Sequence, residues 1–379
     1  MMPPTEVDVA VIGAGPAGLV AARELAARGL EVLVLEEDSV VGRPEKCAGL
    51  YSVEGLRLAN IPIDRVFLQN VIRGAVFNSP SGRGFLIDAG RDIAVVTNRE
   101  RFDQFISLQA VREGAGLLVG HRVSSVSLTD GFAKLKTLSG EFSARYLIDA
   151  EGRSASLARA INPTYSLNGW IPIIQFQVAG HGMDRQLVYL YFKRYLPEFF
   201  GYLVPIDDEL GKVGVASSRD IRSLASKFLE EEFPKARILG ISSSSIYTGA
   251  PLPQPRVGNV YFVGDVAGHV KATTGGGVVF GGLCARAAAL DILSGQKILP
   301  RLIKPLYREL RLTHATRLAA AAMPPKLLDR LFKAVSDSGF NQQIAKVGDM
   351  DRHGLTAAKL LASTASLRLA ATLLRSYLF

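Results

Sequence analysis

What constrains the fold most is the way the chain begins. Val7-Asp8-Val9-Ala10-Val11-Ile12, an apolar run of strand length, passes directly into Gly13-Ala14-Gly15-Pro16-Ala17-Gly18. The alanine- and leucine-rich stretch from Pro16 to Arg28 then reads as a helix that stops at Gly29. A GxGxxG run between a strand and a helix meets three separate demands of dinucleotide binding. Gly13 allows the tight turn, Gly15 lets the backbone approach a pyrophosphate resting on the helix N-terminus, and Gly18 permits close packing of helix on strand. Together with the small residues Ala14 and Ala17, these are the first candidate ligand-binding positions. A second strand is expected at Glu31 to Glu36. Glu36 ends it 18 residues beyond Gly18 and offers a carboxylate suited to the hydroxyls of an unphosphorylated adenosine ribose.

The αβ pattern is then interrupted. Between Val71 and Asp88 apolar and polar residues alternate around Ser79-Pro80-Ser81-Gly82, which is hairpin chemistry. Helical patterning returns at Arg101 to Glu113, strands are expected at Leu117–Val126 and Lys134–Leu138, and Arg145 to Ala150 closes this stretch. The runs Ile173–Val178, Leu187–Phe192 and Lys212–Ala216 read as strands of an antiparallel sheet. The αβ signature resumes at Asn259–Asp265, and from Pro300 the chain is helical and basic. The expected architecture is α/β with an α+β insertion. Residues 1–70, 91–160 and 255–300 form a Rossmann-like dinucleotide domain, 71–90 and 165–250 an antiparallel-sheet substrate domain, and 301–379 a helical C-terminal region.

Composition narrows the function classes. With 379 residues, 48% hydrophobic and 21% charged, the chain can bury a sizeable core over two domains. Its two cysteines, Cys47 and Cys284, fit neither a disulfide framework nor a zinc site, so no metal is expected and a reducing, cytoplasmic setting fits. The N-terminus lacks the order of a secretory signal and is expected to be retained. Residues 301–379 hold 13 Lys+Arg against 5 Asp+Glu, which is +8 of the chain's net +9. No nucleic-acid-binding motif accompanies that charge, so peripheral contact with a membrane surface is the better expectation. Lys359, Arg368 and Arg375 interrupt the tail too often for a membrane span. Leu360, Leu367 and Leu374 recur every seven residues, a stripe that suits either core packing or an interfacial helix.

The opening motif alone leaves FAD and NAD both open, and the second half of the chain separates them. Gly264-Asp265 follows a strand, and Gly275-Gly276-Gly277 precedes the apolar helical run from Val278. This pairing resembles the flavoprotein family that includes p-hydroxybenzoate hydroxylase and the geranylgeranyl reductases, over roughly residues 5–300. The resemblance implies that FAD is the cofactor, that Asp265 binds the ribityl–pyrophosphate region, and that the backbone of Gly276, Gly277 and Val278 faces the flavin ring. Asp149-Ala150-Glu151-Gly152-Arg153-Ser154 is similar to the family's DxxGxxS segment, and reads equally well as a strand-ending turn. Asn98-Arg99-Glu100-Arg101-Phe102-Asp103 is similar to its R-x-x-F-D segment, which gives Arg99 a flavin-dinucleotide contact. Val123 matches a position whose backbone lies near the adenine.

A narrower resemblance lies in Cys47-Ala48-Gly49-Leu50-Tyr51-Ser52, similar to the CxGxxS segment of the geranylgeranyl reductases, which sets Cys47, Ala48 and Gly49 beside the flavin. Phe200-Gly201-Tyr202-Leu203-Val204-Pro205 resembles the reductases' aromatic-x-Trp-x-Phe-Pro segment, so Phe200, Tyr202, Val204 and Pro205 are implied substrate contacts. Tyr202 stands there for tryptophan and Val204 for phenylalanine, which puts the prenyl substrate in question. The activity implied is hydrogenation of isolated double bonds in geranylgeranyl or prenyl chains, of archaeal-type membrane lipids or of prenyl diphosphates. Hydride would come from reduced FAD, with Cys47 as proton donor. As a lone cysteine, Cys47 is equally readable as a small buried hydrophobe. The histidines lack ligand spacing, and only His269 lies near a motif, as a loop residue. With no second complete GxGxxG unit, ferredoxin, reduced deazaflavin and NADPH all stay open as electron donors. Two other uses of the same cofactor also stay open: a flavin monooxygenase or halogenase, and a membrane-docked electron-transfer or scaffold protein.

Overall fold

The computed structural model describes residues 5–129 and 131–378. Strand β1 (Thr5–Ile12) is apolar on both faces, with Val9, Ala10 and Val11 wholly buried, so it takes a central place in a parallel sheet. It pairs in parallel with β2 (Val32–Leu35) on one side and with Glu141–Asp149 on the other. Gly116–Leu118 extends the sheet beyond β2, and Val260–Phe262 and Arg256–Val257 extend it beyond Glu141–Asp149. Helix α1 (Pro16–Ala26) crosses from β1 to β2, and its wholly buried residues Leu19, Val20, Ala21, Ala22 and Leu25 belong to the core beneath this sheet. The expected strand Leu117–Val126 is two strands. Gly120 adopts a positive φ (69°), the His121 N–H donates to the Glu36 carbonyl, and the chain leaves the edge beyond β2 before Ser125–Thr129 forms an antiparallel hairpin with Phe132–Lys136, which rejoins the sheet alongside Glu141–Asp149.

A seven-stranded sheet makes the second layer. Its order is Arg237–Tyr247, Trp170–Ala179, Leu210–Ala216, Gly201–Pro205, Leu187–Tyr191, Gly74–Asn78 and Gly84–Asp88. The hairpin around Ser79 is therefore shorter than its sequence pattern, and Val71 lies in Leu68–Ile72, a strand of a separate three-stranded sheet with Leu50–Ser52 and Ala94–Thr97. The sheet is not wholly antiparallel, since Gly74–Asn78 runs parallel to Leu187–Tyr191. Strand Arg237–Tyr247 escapes a reading by periodicity because Ser242–Ser245 erases the alternation at an edge where one face meets solvent.

The C-terminal region folds back over this sheet as helices Leu299–Ala321, Pro325–Asp337, Phe340–Val347, His353–Leu361 and Thr364–Leu378. Phe332 sits edge-on to Phe85 and Phe192, and the Asp329 carboxylate accepts from the Ser79 hydroxyl at 2.6 Å and the Ser81 N–H at 2.9 Å. Among the described residues no helix is long and apolar enough to cross a membrane. Leu367 is 72% exposed and Leu360 half-buried, while the Leu374 side chain lies outside what is described.

Phe102 ties the three-stranded sheet to the core beneath the first sheet. It lies on helix Arg99–Arg112, wholly buried, with its ring 5.0 Å from Tyr51 and 5.1 Å from Phe67. Phe102→Ala should cost about 3–5 kcal/mol in chemical unfolding. Leu108→Ala, on the same helix but 57% exposed, should cost under about 0.5 kcal/mol.

Candidate active site

The turn after β1 is built by close approach. Gly13 has φ 94°, and a Cβ on it would lie 2.6 Å from the Ala150 carbonyl oxygen, while one on Gly18 would collide with the Gly13 carbonyl. These glycines let α1, β1 and Glu141–Asp149 converge. Gly15 differs, because a Cβ there would meet nothing within 4 Å, and the open space in front of it is the wall of a cavity of about 1480 Å³. A backbone N-terminus facing such space is what a pyrophosphate needs, so the residues present fit FAD.

Glu36 stands at the end of β2. Its carboxylate accepts from the Ala14 N–H at 2.6 Å and the Asp38 N–H at 2.9 Å, which fixes it beside the glycine turn with lone pairs to spare for ribose hydroxyls. On the other side of the cavity, Asn98 caps helix Arg99–Arg112 by accepting from Arg101 N–H. Arg99 makes a bidentate pair with Asp103 at 3.0 and 2.8 Å. Burial works against the Arg99 charge, but Asp103, with Tyr51 and Cys47 nearby, outweighs it and raises the pKa well above the ordinary value, so the guanidinium is a permanent charge beside the site. Burial pushes the Asp265 carboxyl up, with Arg99 pulling the other way. A Cβ at Gly277 would come within 2.8 Å of Asp265 Oδ1, so the Asp265 turn and the glycine run touch only because glycine stands there.

The Cys47 segment is held from below. Gly49 N–H donates to Cys47 Sγ at 3.4 Å, and the Tyr51 hydroxyl lies 3.9 Å from the same sulfur. Lys212, 4% exposed in the middle of a strand of the seven-stranded sheet, donates to Glu45 at 2.6 Å and to the carbonyls of Cys47 and Thr97 at 3.5 and 3.4 Å. Gln175 donates to the Cys47 carbonyl at 3.5 Å and accepts from the Tyr202 hydroxyl at 2.9 Å. Tyr202, Gly214 and Gln175 lie side by side on adjacent strands, and the tyrosine ring lies over Gly214, where any Cβ would collide with it. The hydroxyl is therefore taken up by Gln175.

Of the residues singled out in the sequence, Gly15, Ala17, Gly18, Cys47, Ala48, Arg99, Asp265, Gly276, Gly277 and Val278 line the cavity, as do Phe200, Tyr202 and Val204. Gly13, Ala14, Glu36 and Gly49 are not part of the lining. Val123 packs in the core with Leu35 and Leu135. The Pro205 carbonyl accepts from Asn70 at 3.0 Å and is not part of the lining. Asp149 is wholly buried. Burial and the neighbouring Glu151 push its carboxyl well above the usual range, and Glu151 itself caps the short helix at Ser156. Lys212, Gln175 and the C-terminal lining residues escaped the sequence reading, although a lysine in the apolar run Lys212-Val213-Gly214-Val215 was a usable signal.

Residues 8–49 match the family model described as FAD dependent oxidoreductase. The fold is similar to a crystal structure of a geranylgeranyl bacteriochlorophyll reductase-like protein from Thermoplasma acidophilum, with a TM-score of 0.84 at 21% identity over 98% of this chain and 100% of that one. It is also similar to p-nitrophenol 4-monooxygenase from Pseudomonas putida, with a TM-score of 0.70 at 17% identity over 96% and 98%. Fold and nucleotide cradle together define an FAD-dependent oxidoreductase. The chain is 30% identical, over 73% of its length and 74% of the relative's, to digeranylgeranylglycerophospholipid reductase 1 of Methanothermobacter thermautotrophicus. It belongs to the digeranylgeranylglycerophospholipid reductase family.

His269 is a support rather than a proton carrier. Its Nδ1 accepts from Gly264 N–H at 3.2 Å, its Nε2 lies 3.1 Å from the Tyr307 hydroxyl, and burial lowers its pKa to about 3. Only the unfolded chain, whose histidine titrates near its ordinary value, takes up a proton as pH falls from about 6.5 toward 3. The neutral imidazole's contribution is thus present above that window and is lost at about 1.4 kcal/mol per pH unit within it. Urea unfolding of wild type and His269→Gln should show a stability difference that shrinks with this slope below pH ~6.

Proposed function

We propose that this chain hydrogenates isolated double bonds of geranylgeranyl chains carried by archaeal-type glycerophospholipids. The observation that carries the proposal is that Cys47, Arg99, the flavin-facing glycines and an apolar wall all border one cavity. At about 1480 Å³ it exceeds the roughly 300–1,000 Å³ of a typical small-ligand pocket, as a site shared by a dinucleotide and a lipid chain requires. The name of the Methanothermobacter relative supports the same substrate class. In this reading residues 1–70, 91–160 and 255–300 bind FAD, with Glu36 and the Val123 backbone at the adenosine end. Residues 71–90 and 165–250 supply the lipid-facing wall.

When bound and reduced, FAD supplies a hydride to one alkene carbon. An alkene bearing only alkyl groups has no carbonyl to hold the resulting negative charge, so a proton has to reach the other carbon in the same event. Cys47 Sγ holds that proton. The Gly49 N–H donates to that sulfur, and Arg99 borders the same cavity. Tyr202 offers its ring to the substrate because its hydroxyl is bonded to Gln175, so a wall of Ile173, Val188, Leu190, Tyr202 and Val204 stays apolar despite two departures from the reductases' motif. Lys46, Arg91 and Arg194 also border the cavity and suit the phosphate of a head group.

The test is anaerobic. Protein carrying chemically reduced FAD is mixed with geranylgeranylated phospholipid, and mass spectrometry should find gains of two daltons per double bond; turnover that requires oxygen would instead identify an oxygenating flavoprotein. Cys47→Ala should retain the flavin absorbance and lose about 10²-fold or more in kcat; unchanged turnover removes Cys47 from the chemistry. Peripheral membrane contact through residues 301–379 is supported by their charge and by the exposure of Leu361 and Leu367. The protein should sediment with vesicles of anionic phospholipid in low salt and be released in high salt.

A further inference from the structure

The C-terminal region reaches the site through one carboxylate. Asp351, 5% exposed, lies in the turn between helices Phe340–Val347 and His353–Leu361. Its Oδ1 accepts from Lys271 Nζ at 2.5 Å, and its Oδ2 accepts from the Ser52 hydroxyl. Ser52 is the last residue of the Cys47–Ser52 segment and caps the helix that follows it, accepting from Gly55 N–H at 2.7 Å. The backbone of Lys271 closes the loop that carries the flavin-facing glycines. Its N–H donates to the Gly276 carbonyl at 3.0 Å, and its carbonyl accepts from Gly275 N–H at 2.8 Å.

We infer that Asp351 is a positioning residue whose two oxygens fix, from the C-terminal region, both segments that flank the flavin ring. Its own turn is held rigidly, since the Asp349 carboxylate accepts from the N–H groups of Asp351 and Arg352 at 2.8 and 3.0 Å. Neighbouring Met350 accepts Lys271 Nζ on its carbonyl at 2.9 Å and packs into the cluster that contains Tyr202 and Val204. The same turn therefore touches the flavin-side loops and the lipid-side wall. Lys271 is 4% exposed, and removing its counter-charge would leave a buried cation uncompensated, so the anchor is not interchangeable with packing alone. Burial alone would raise the Asp351 carboxyl, but Lys271 and Ser52 outweigh it and hold it below the usual range.

The inference rests on the reading that residues 47–52 and 273–278 face the flavin, and its test separates the two. Backbone hydrogen exchange of the holoprotein reads the mechanical part. Ser52→Ala should speed exchange at least tenfold across residues 47–55 alone, Lys271→Met across 271–277 alone, and Asp351→Ala across both, with the hairpin 74–88 unchanged in each. Loosening of a single segment by Asp351→Ala, or uniform loosening by either of the other two variants, would overturn the clamp. Should Asp351→Ala fail to fold, Ser52→Ala and Lys271→Met still decide the matter by their separate footprints. Flavin affinity reads the other part: Asp351→Ala should raise the dissociation constant for FAD at least tenfold. The exchange pattern without that rise would leave the clamp standing and show that these segments do not face the cofactor.

Discussion

Everything in this structure depends on how closely α1 can approach the two central strands. The approach is set at backbone level, where Gly18 lies against the Gly13 carbonyl and Gly13 against that of Ala150, so three segments meet with no side chain between them. A methyl group at either position would force the helix outward and carry the N-terminus of α1 away from the strand ends. The nucleotide cradle is thus a by-product of a packing constraint. The strand ends, the helix dipole and the open space before Gly15 coincide because glycine lets them.

From that cradle outward, the site is assembled from pieces that do not share a sheet. Arg99 comes from the helix after the three-stranded sheet, Cys47 from the loop entering it, Lys212 and Tyr202 from the seven-stranded sheet, and Asp351 from the C-terminal helices. Buried charges tie the pieces together through Lys212 with Glu45 and Lys271 with Asp351, while Arg99 pairs with Asp103 on its own helix. Each pair is costly to desolvate and contributes little net stability, yet removing one partner leaves an unpaired buried charge. Such pairs hold segments in register, and the Cys47 loop is pinned this way from the seven-stranded sheet by Lys212.

What the sequence disclosed follows from the range of each interaction. The turn at Gly13–Gly18, the carboxylate of Glu36 and the glycine run at 275–277 are local patterns, each dictated by backbone geometry within one βα unit, and they were legible. The partners of Cys47 were not. Lys212 is 165 residues from it and Gln175 128, and nothing in either neighbourhood marks which strand will lie beneath the loop. Lys46 adjoins Cys47 in the chain but is exposed, whereas Glu45 turns inward to an ion pair that only the tertiary structure creates. Strand Arg237–Tyr247 was missed for a different reason, because its serines carry no period at a solvent-facing edge. The tail was legible as helical and basic, but its turn at 349–351 carries no signature of entering a site.

Tyr202 shows why letters in a motif and the surface they build have to be judged separately. A tyrosine in an apolar wall would normally bring an unsatisfied hydroxyl into contact with substrate, at a cost of about 1–3 kcal/mol for a buried polar group left unpaired. Here Gly214 on the neighbouring strand makes room for the ring, and Gln175 on the strand beyond accepts the hydroxyl. Three residues across three strands thus turn a polar side chain into an apolar surface. The same glutamine donates to the Cys47 carbonyl, so the substitution in the wall is coupled to the position of the loop that holds the thiol. A change to tryptophan at 202 would need more than room, because it would leave Gln175 Oε1 without its donor and loosen one of the two contacts that the seven-stranded sheet makes with the Cys47 carbonyl.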